Sequence, residues 1–485
     1  MTHTRFLALF AALTMAACSQ ATPEQQIVND AAEALGGADR IQAVKTFVVE
    51  GDGTQYNLGQ DVTPEASGQT FAVTDARYAV DVAGGRTRFE FTRRPNFTYF
   101  QGPQAQRLVQ GLDGVVAYNV AANGTATRAP EAVVTERRIG LYHHPITAVR
   151  AALDPMAKVS NAHTMDGQSM VDVTTADGIS FMLAIDPTTK LPTRVTSRAD
   201  NTNLGDVVME TRFADYQEAG GVQMPTRFTM RIDDFTTAEY RAAKQAVDGD
   251  TGDLAAPAET AKATPPPPPT VAVEELAPGI WYLAGGSHHS VLVEFADHMT
   301  LIEAPQNDAR SLAVIARARE VRPEKPLTEL VNSHHHFDHS GGIRAAIAEG
   351  LTIITHQGNV ALFENMAKRP HTVVPDALAK SPQPAMIKGI GQDTTLSDSA
   401  MTMQLLPYAG PHTETMLMAY FPQQRILVEA DVYNPGGQVF MFAGHLLEEL
   451  KTRNLRIDRI VPLHAKPAPY AQFAKEASMP VPSTN

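Results

Sequence analysis

The apolar run Leu327-Thr328-Glu329-Leu330-Val331 leads within three residues into His334-His335-His336-Phe337-Asp338-His339-Ser340-Gly341-Gly342. A strand must therefore end where several imidazoles and a carboxylate converge, and the fold has to provide a sheet edge that accepts them. His334 and His336 are two apart and point the same way in extended chain, so both can reach one metal ion. In a turn leaving the strand, Asp338 and His339 can face a second ion. Imidazole nitrogen and carboxylate oxygen are donors that zinc accepts, and a catalytic zinc keeps one position for water. Gly341 and Gly342 let the next helix approach closely. His335, between two ligands, is expected to point away.

Four ligands do not complete a two-metal site, and three more stand in matching settings downstream. His412 lies in a turn after Met403 to Leu406. Asp431 ends the strand Ile426 to Ala430, and His464 follows Ile460 to Leu463. In each case an apolar strand delivers a ligand at its C-terminal edge, where α/β sheets usually build sites. Ser333, Ser340 and Glu429 are placed to orient the imidazoles. Tyr433 is a candidate substrate or oxyanion contact.

The rest of the chain divides by pattern. From Ile27 to about residue 245 it reads as β-strands with period-two alternation, such as Phe47 to Gly51, Tyr78 to Val82, Thr87 to Thr92 and Val171 to Thr175. Two helical patches interrupt them, Ile27 to Leu35 and Pro145 to Leu153, so a curved antiparallel sheet with few helices is expected. Residues 246–270 form a Pro/Ala-rich linker ending in the run Pro265 to Pro269, which favours a stiff extended spacer. From residue 271 to 485 strands alternate with helices, the pattern of an α/β domain: Ile280 to Leu283, Ser290 to Phe295 and Met299 to Glu303 as strands, then a helix over Asp308 to Arg319.

The amino terminus reads as a targeting segment. Residues 1–17 carry Arg5 and the apolar run Phe6 to Ala17, too short for a stable membrane span. Cys18 is the one cysteine of the 485 residues, so no intrachain disulfide can form. Met15-Ala16-Ala17-Cys18 resembles a bacterial lipobox, which implies cleavage before Cys18, acylation, a tether over residues 18–26, and attachment to a membrane of the cell envelope. Ser19 after the cysteine points to the outer membrane, with the protein facing the periplasm. The net charge of −13 argues against a nucleic-acid partner.

Two resemblances follow from these motifs. His-x-His-x-Asp-His, then His412, Asp431 and His464 in that order, looks like the metallo-β-lactamase-fold hydrolase superfamily. It implies an αββα sandwich over residues 271–485 and two Zn²⁺ ions, with iron or manganese as alternatives. By that resemblance the first metal takes His334, His336 and His412, the second takes Asp338, His339 and His464, and Asp431 bridges them. A hydroxide held between the metals, oriented by the catalytic Asp338, would attack an ester, thioester, lactone or related bond. Aspartate at 431 is the glyoxalase-II-like pattern, where β-lactamases carry cysteine or serine; the strand acid usually written Asp is here Glu303. The loop Gly285-Gly286-Ser287-His288-His289-Ser290 resembles a site-lining turn, making His288 and His289 possible substrate contacts.

The N-terminal part resembles the lipoprotein-carrier (LolA/LolB-like) half-barrel. The segments that carry this are Gly36 to Ile41, Ala184 to Pro192, Phe213 to Tyr216 and Gly221 to Pro225. It implies a concave apolar face able to hold an acyl chain or peptide, and with it a small-molecule or lipid-like substrate. The competing expectations are a β-lactamase-like amidase and a non-catalytic envelope lipid-carrier or scaffold lipoprotein.

Overall fold

The computed structural model describes residues 21–66, 68–97, 104–436 and 441–479. Residues 1–17, expected to be a signal segment, and the lipobox-like Met15 to Cys18 lie outside the described residues. Among the described residues, no helix is long and apolar enough to cross a membrane.

The first helix spans Pro23–Leu35 and so starts inside the stretch expected to be a polar tether. The reason is local: Thr22 accepts the Gln25 backbone N–H, Gln25 returns a bond to the Thr22 backbone N–H, and Pro23 occupies the first turn. Its buried residues Val28, Ala31, Ala32 and Leu35 pack with the helix Pro145–Ala152 into one large curved sheet. That sheet has 13 strands, running from Thr46–Tyr56 through Phe235–Val247 in the chain, and every neighbouring pair is antiparallel. Strand Thr46–Tyr56 sits at its middle and pairs with Phe235–Val247, Phe47 opposite Val247. Register shifts in both pairings of that strand mark bulges, which bend a sheet and tighten its twist. Phe47, Val80, Val171 and Leu183 face the helices. On the opposite face Val48 and Ala79 pack against Leu254, so the chain after Val247 runs along the sheet before reaching the exposed prolines 265–269.

The remainder builds two mixed sheets. One has seven strands, from Ala272–Ala277 to Ile387–Ile390, antiparallel up to Met299–Ile302 and parallel from Leu327–Val331 onward. The other has six, from Thr394–Ser397 to Ala468–Pro469, with Ile426–Glu429 and Arg459–Pro462 parallel. The sheets face each other through Ile280, Tyr282, Val291, Val293, Leu405, Phe421 and Val461. The alternate residues Trp281, Leu283 and Leu292 face the helices Asp308–Val321 and Ile343–Ala348. On the far side, Leu427 and Ile460 pack under Met441–Thr452 and Tyr470–Ala477. Strands buried on both faces read as continuous apolar runs, as these do. The layering is helix, sheet, sheet, helix.

Candidate metal centre

Every predicted ligand sits at one edge of the two facing sheets. His334 and His336 follow the strand Leu327–Val331, and Asp338 and His339 lie in the one-turn helix Phe337–Ser340. Gly342 makes that turn possible, because a Cβ there would lie 1.7 Å from Ser311 Oγ. From the other sheet, His412 follows Thr402–Tyr408, Asp431 follows Ile426–Glu429, and His464 follows Arg459–Pro462. Asp431 takes a left-handed backbone (φ 62°), a strained conformation for a non-glycine residue that turns its carboxylate to the centre.

The donors form two groups, His334, His336, His412 and Asp431 in one and His288, Asp338, His339 and His464 in the other. Within each group the potential ligand atoms all lie within 4.8 Å of one another. Asp431 joins the groups. Its Oδ2 lies 3.0 Å from His412 Nε2, 3.3 Å from His334 Nε2 and 3.0 Å from His339 Nε2, and its Oδ1 lies 2.5 Å from His464 Nε2. His288 belongs to the second group through its Nε2, 3.0 Å from Asp338 Oδ2, and so stands among the residues that could hold a metal.

The partner of each ring's other nitrogen sets its tautomer. His336 Nε2–H donates to the Asp61 main-chain carbonyl at 2.8 Å, a group that can only accept, so His336 Nδ1 carries the lone pair. That nitrogen is buried with no hydrogen-bond partner. His464 Nδ1–H donates to the Ser287 carbonyl at 3.0 Å, and His339 Nδ1–H donates to Glu303 Oε2 at 3.0 Å. Ser333 Oγ–H donates to Glu303, so the same oxygen accepts from His334 Nδ1 at 3.0 Å. In all four rings the outer nitrogen donates away from the centre, which leaves the inner nitrogen as the one a metal would take; His334 and His336, both neutral, present it as a free lone pair. An orphaned buried nitrogen and convergent lone pairs have no benefit without a cation, and the donor set of imidazoles and carboxylates fits zinc.

Electrostatics point the same way. Burial, reinforced by neighbouring imidazoles, holds His334 and His336 well below the ordinary histidine range, so both are neutral. Burial opposes a charge on His339 too, but Asp431, Asp338 and Glu303 outweigh it and raise its pKa. Burial likewise opposes ionisation of Asp338 and Asp431; the surrounding histidines overcome it and keep both carboxylates ionised. The His339 proton stands where a cation would serve the same carboxylates.

Other candidates lie elsewhere. His335 is buried, with Nδ1 3.0 Å from Thr415 Oγ1, outside both groups. His289 accepts the Gly285 N–H on its Nδ1 at 3.2 Å, and its ring packs near Tyr282, so it braces the loop and belongs to neither group. Tyr433 is buried and donates its hydroxyl to Glu476 at 2.8 Å, which ties it to the last helix. Ser340 donates to the His335 carbonyl, and Glu429 accepts the Val432 N–H; among the described residues neither is hydrogen-bonded to an imidazole of the two groups. Glu303 is the main brace: fully buried, it also accepts from Asn332 Nδ2 at 3.1 Å. Sequence reading missed Gln60 and Asp61, whose contacts with Asp338 and His336 join residues 278 and 275 positions apart.

No protein-family model and no curated protein matches this chain. Among solved structures, a metallo-β-lactamase from Pontibacter korlensis is similar over 43% of this chain and 98% of its own, at 18% identity and a TM-score of 0.34. The metallo-β-lactamase FIM-1 from Pseudomonas aeruginosa, in its mono-zinc form, matches over 43% of this chain and 95% of its own (18% identity, TM-score 0.34). The inverting sec-alkylsulfatase Pisa1 from Pseudomonas sp. covers 43% of this chain and 40% of its own (18% identity, TM-score 0.33).

Proposed function

We propose that the protein is a metal-dependent hydrolase with a two-metal centre, His334, His336 and His412 holding one ion and Asp338, His339 and His464 the other. His288 is a further donor to the second. The observation that carries this reading is the shared Asp431 carboxylate, which meets imidazole nitrogens from both groups within 3.3 Å. A metal pair, when bound, supplies a water of lowered pKa and a Lewis acid for the substrate oxygen. The chain's own residues do the rest. Asp338, with Oδ1 fixed by the Gln60 amide at 2.7 Å, orients the attacking water and takes up its proton. Glu303 and Ser333 keep His339 and His334 from rotating. The bonds attacked are of the ester, thioester or lactone class, consistent with an aspartate at 431.

In the N-terminal half the curved sheet forms an open cavity of about 410 Å³ on its helix-facing side, lined by Phe71, Tyr78, Phe89, Phe228 and Tyr240 with Arg93, Glu136 and Arg137 among them. That lining suits an acyl or other lipid-like group. Attachment to the envelope through Cys18 belongs to the same proposal.

The deciding experiment measures metal per chain and screens esters, thioesters, lactones, phosphodiesters and a chromogenic β-lactam. Activity that disappears on chelation and in Asp338→Ala supports the reading. Hydrolysis that survives both sinks it, and preferential turnover of the β-lactam would favour the amidase instead. Cys18→Ser should release the protein from membranes.

A further inference from the structure

Four consecutive residues of the N-terminal half, Gly59-Gln60-Asp61-Val62, each contact the metal-binding loops. The Gly59 carbonyl accepts the Phe337 N–H at 3.1 Å. Gln60 Nε2 donates to Asp338 Oδ1 at 2.7 Å. The Asp61 carbonyl accepts from His336 Nε2 at 2.8 Å. The Val62 carbonyl accepts the Glu414 N–H at 2.9 Å and the Thr413 hydroxyl at 3.1 Å, just beyond His412.

We propose that this turn is a built-in part of the metal centre, positioning His336, Asp338 and the His412 loop, so that the C-terminal half by itself lacks a complete site. The inference rests on the two-metal reading above. It goes beyond ordinary contact between two halves for three reasons. First, the Asp61 carbonyl fixes which nitrogen of His336 faces the centre. Among the described residues, no other hydrogen bond holds that ring. Second, the turn is itself rigidly held. The buried Asp61 carboxylate accepts the Val62 N–H at 2.7 Å, the Gln69 N–H at 3.0 Å and the Gly68 N–H, and this aims its carbonyl outward. Third, the motif reaches back. Phe337, the residue between His336 and Asp338, packs against the cluster of Ala199, Leu204 and Val207 in the N-terminal half. Gly59 leaves room for that ring, since its φ is +73° and a Cβ would lie 2.3 Å from Phe337 Cγ.

These are positioning residues, so the test reads metal binding rather than turnover. The full chain is stripped of metal and titrated with Co²⁺ against a competing chelator, following the visible spectrum. Outer partners of metal ligands are worth roughly 10- to 100-fold in affinity. Asp61→Ala, which frees the turn, should weaken one Co²⁺ by that factor and change its spectrum. Gln60→Ala should weaken the other, with Asp338 less constrained. Val115→Ser, on an exposed turn of the same sheet, should match wild type. Gln60→Ala removes only a half-buried side-chain tip and keeps the test open where Asp61→Ala does not fold. Folded variants that bind two Co²⁺ as tightly as wild type overturn the inference and leave the hydrolase reading standing. A wild-type chain that binds no metal overturns both.

Discussion

At the scale of single residues, Glu303 shows how much of the centre is decided by groups that never reach a metal. It is fully buried, adopts φ +76°, and accepts from His339, Ser333 and Asn332. All its partners are donors, so it must be an acceptor on both oxygens. Glu303→Gln replaces one oxygen by an NH₂ that faces a donor. We expect a 10- to 100-fold loss of affinity for the metal held by His339, read by chelator competition, with little change in the other site. Most of the residues that the structure brings together here were legible in the sequence because their types, order and strand-end placement are local facts. Glu303 was visible as the acid at the end of its strand, but not its role. His288 was read as a possible substrate contact; its place 3.0 Å from Asp338 was not legible, because nothing in the sequence shows that its loop folds back there.

At the scale of elements, the strands and the helices at Pro145–Ala152 and Ile343–Ala348 follow from periodicity and turn residues. The helix Glu131–Leu141 does not, because it buries only Val134 and Leu141 and leaves no apolar stripe to read. The junction into Pro145–Ala152 carries His143 and His144. His144 stacks on Phe47 at 4.3 Å and caps the helix by accepting the Ile146 N–H. His143 bridges Ser197 Oγ and Thr211 Oγ1 at 2.9 and 3.0 Å. Burial pushes His143 down to about 4 and His144 down to about 3. Folded-state values below the unfolded value of 6.5 mean that the unfolded chain binds the extra protons. Their contribution is therefore fully present above pH 6.5 and is lost as pH falls towards 4, on the order of 3 kcal/mol for His143. Urea midpoints of the N-terminal half should fall over that window, and His143→Gln should flatten the slope. A wild-type midpoint independent of pH from 7 to about 4.5 would refute the neutral-histidine account. The half that carries the histidine cluster has its own element-scale test. Gly342→Ala drives a Cβ into Ser311 Oγ and the Ala304 carbonyl, and overpacking of this kind costs about 1–3 kcal/mol, read as a lower unfolding midpoint.

At the scale of the whole molecule, the sequence separates two patterns at the proline run but says nothing of how their folded parts meet. The contacts join residues more than a hundred positions apart, and no local period encodes them. Beside the turn at Gln60, a second polar cluster holds the two parts together. Arg369 donates to the Leu204 and Asp206 carbonyls and to Asp233 Oδ2, the last at 2.5 Å. Asp206 Oδ1 accepts the Thr372 and Val373 N–H groups at 2.7 and 2.9 Å, and its own N–H donates to the Pro370 carbonyl at 2.8 Å. Phe337 supplies the apolar centre between the two clusters. Charge-assisted bonds contribute about 1.5–3 kcal/mol each where they are shielded from water. With these contacts the parts are expected to stay together without the covalent linker. A protease site placed in the exposed run Pro265 to Pro269 should therefore yield two fragments that co-elute on gel filtration and retain bound metal. The double variant Arg369→Ala with Asp206→Ala, cleaved in the same way, should elute as separate fragments and lose metal to a chelator faster. If the wild-type fragments separate on cleavage while metal stays bound, the interface is incidental to the centre; if they remain together in both proteins, its strength lies in Phe337 and the Gln60 turn.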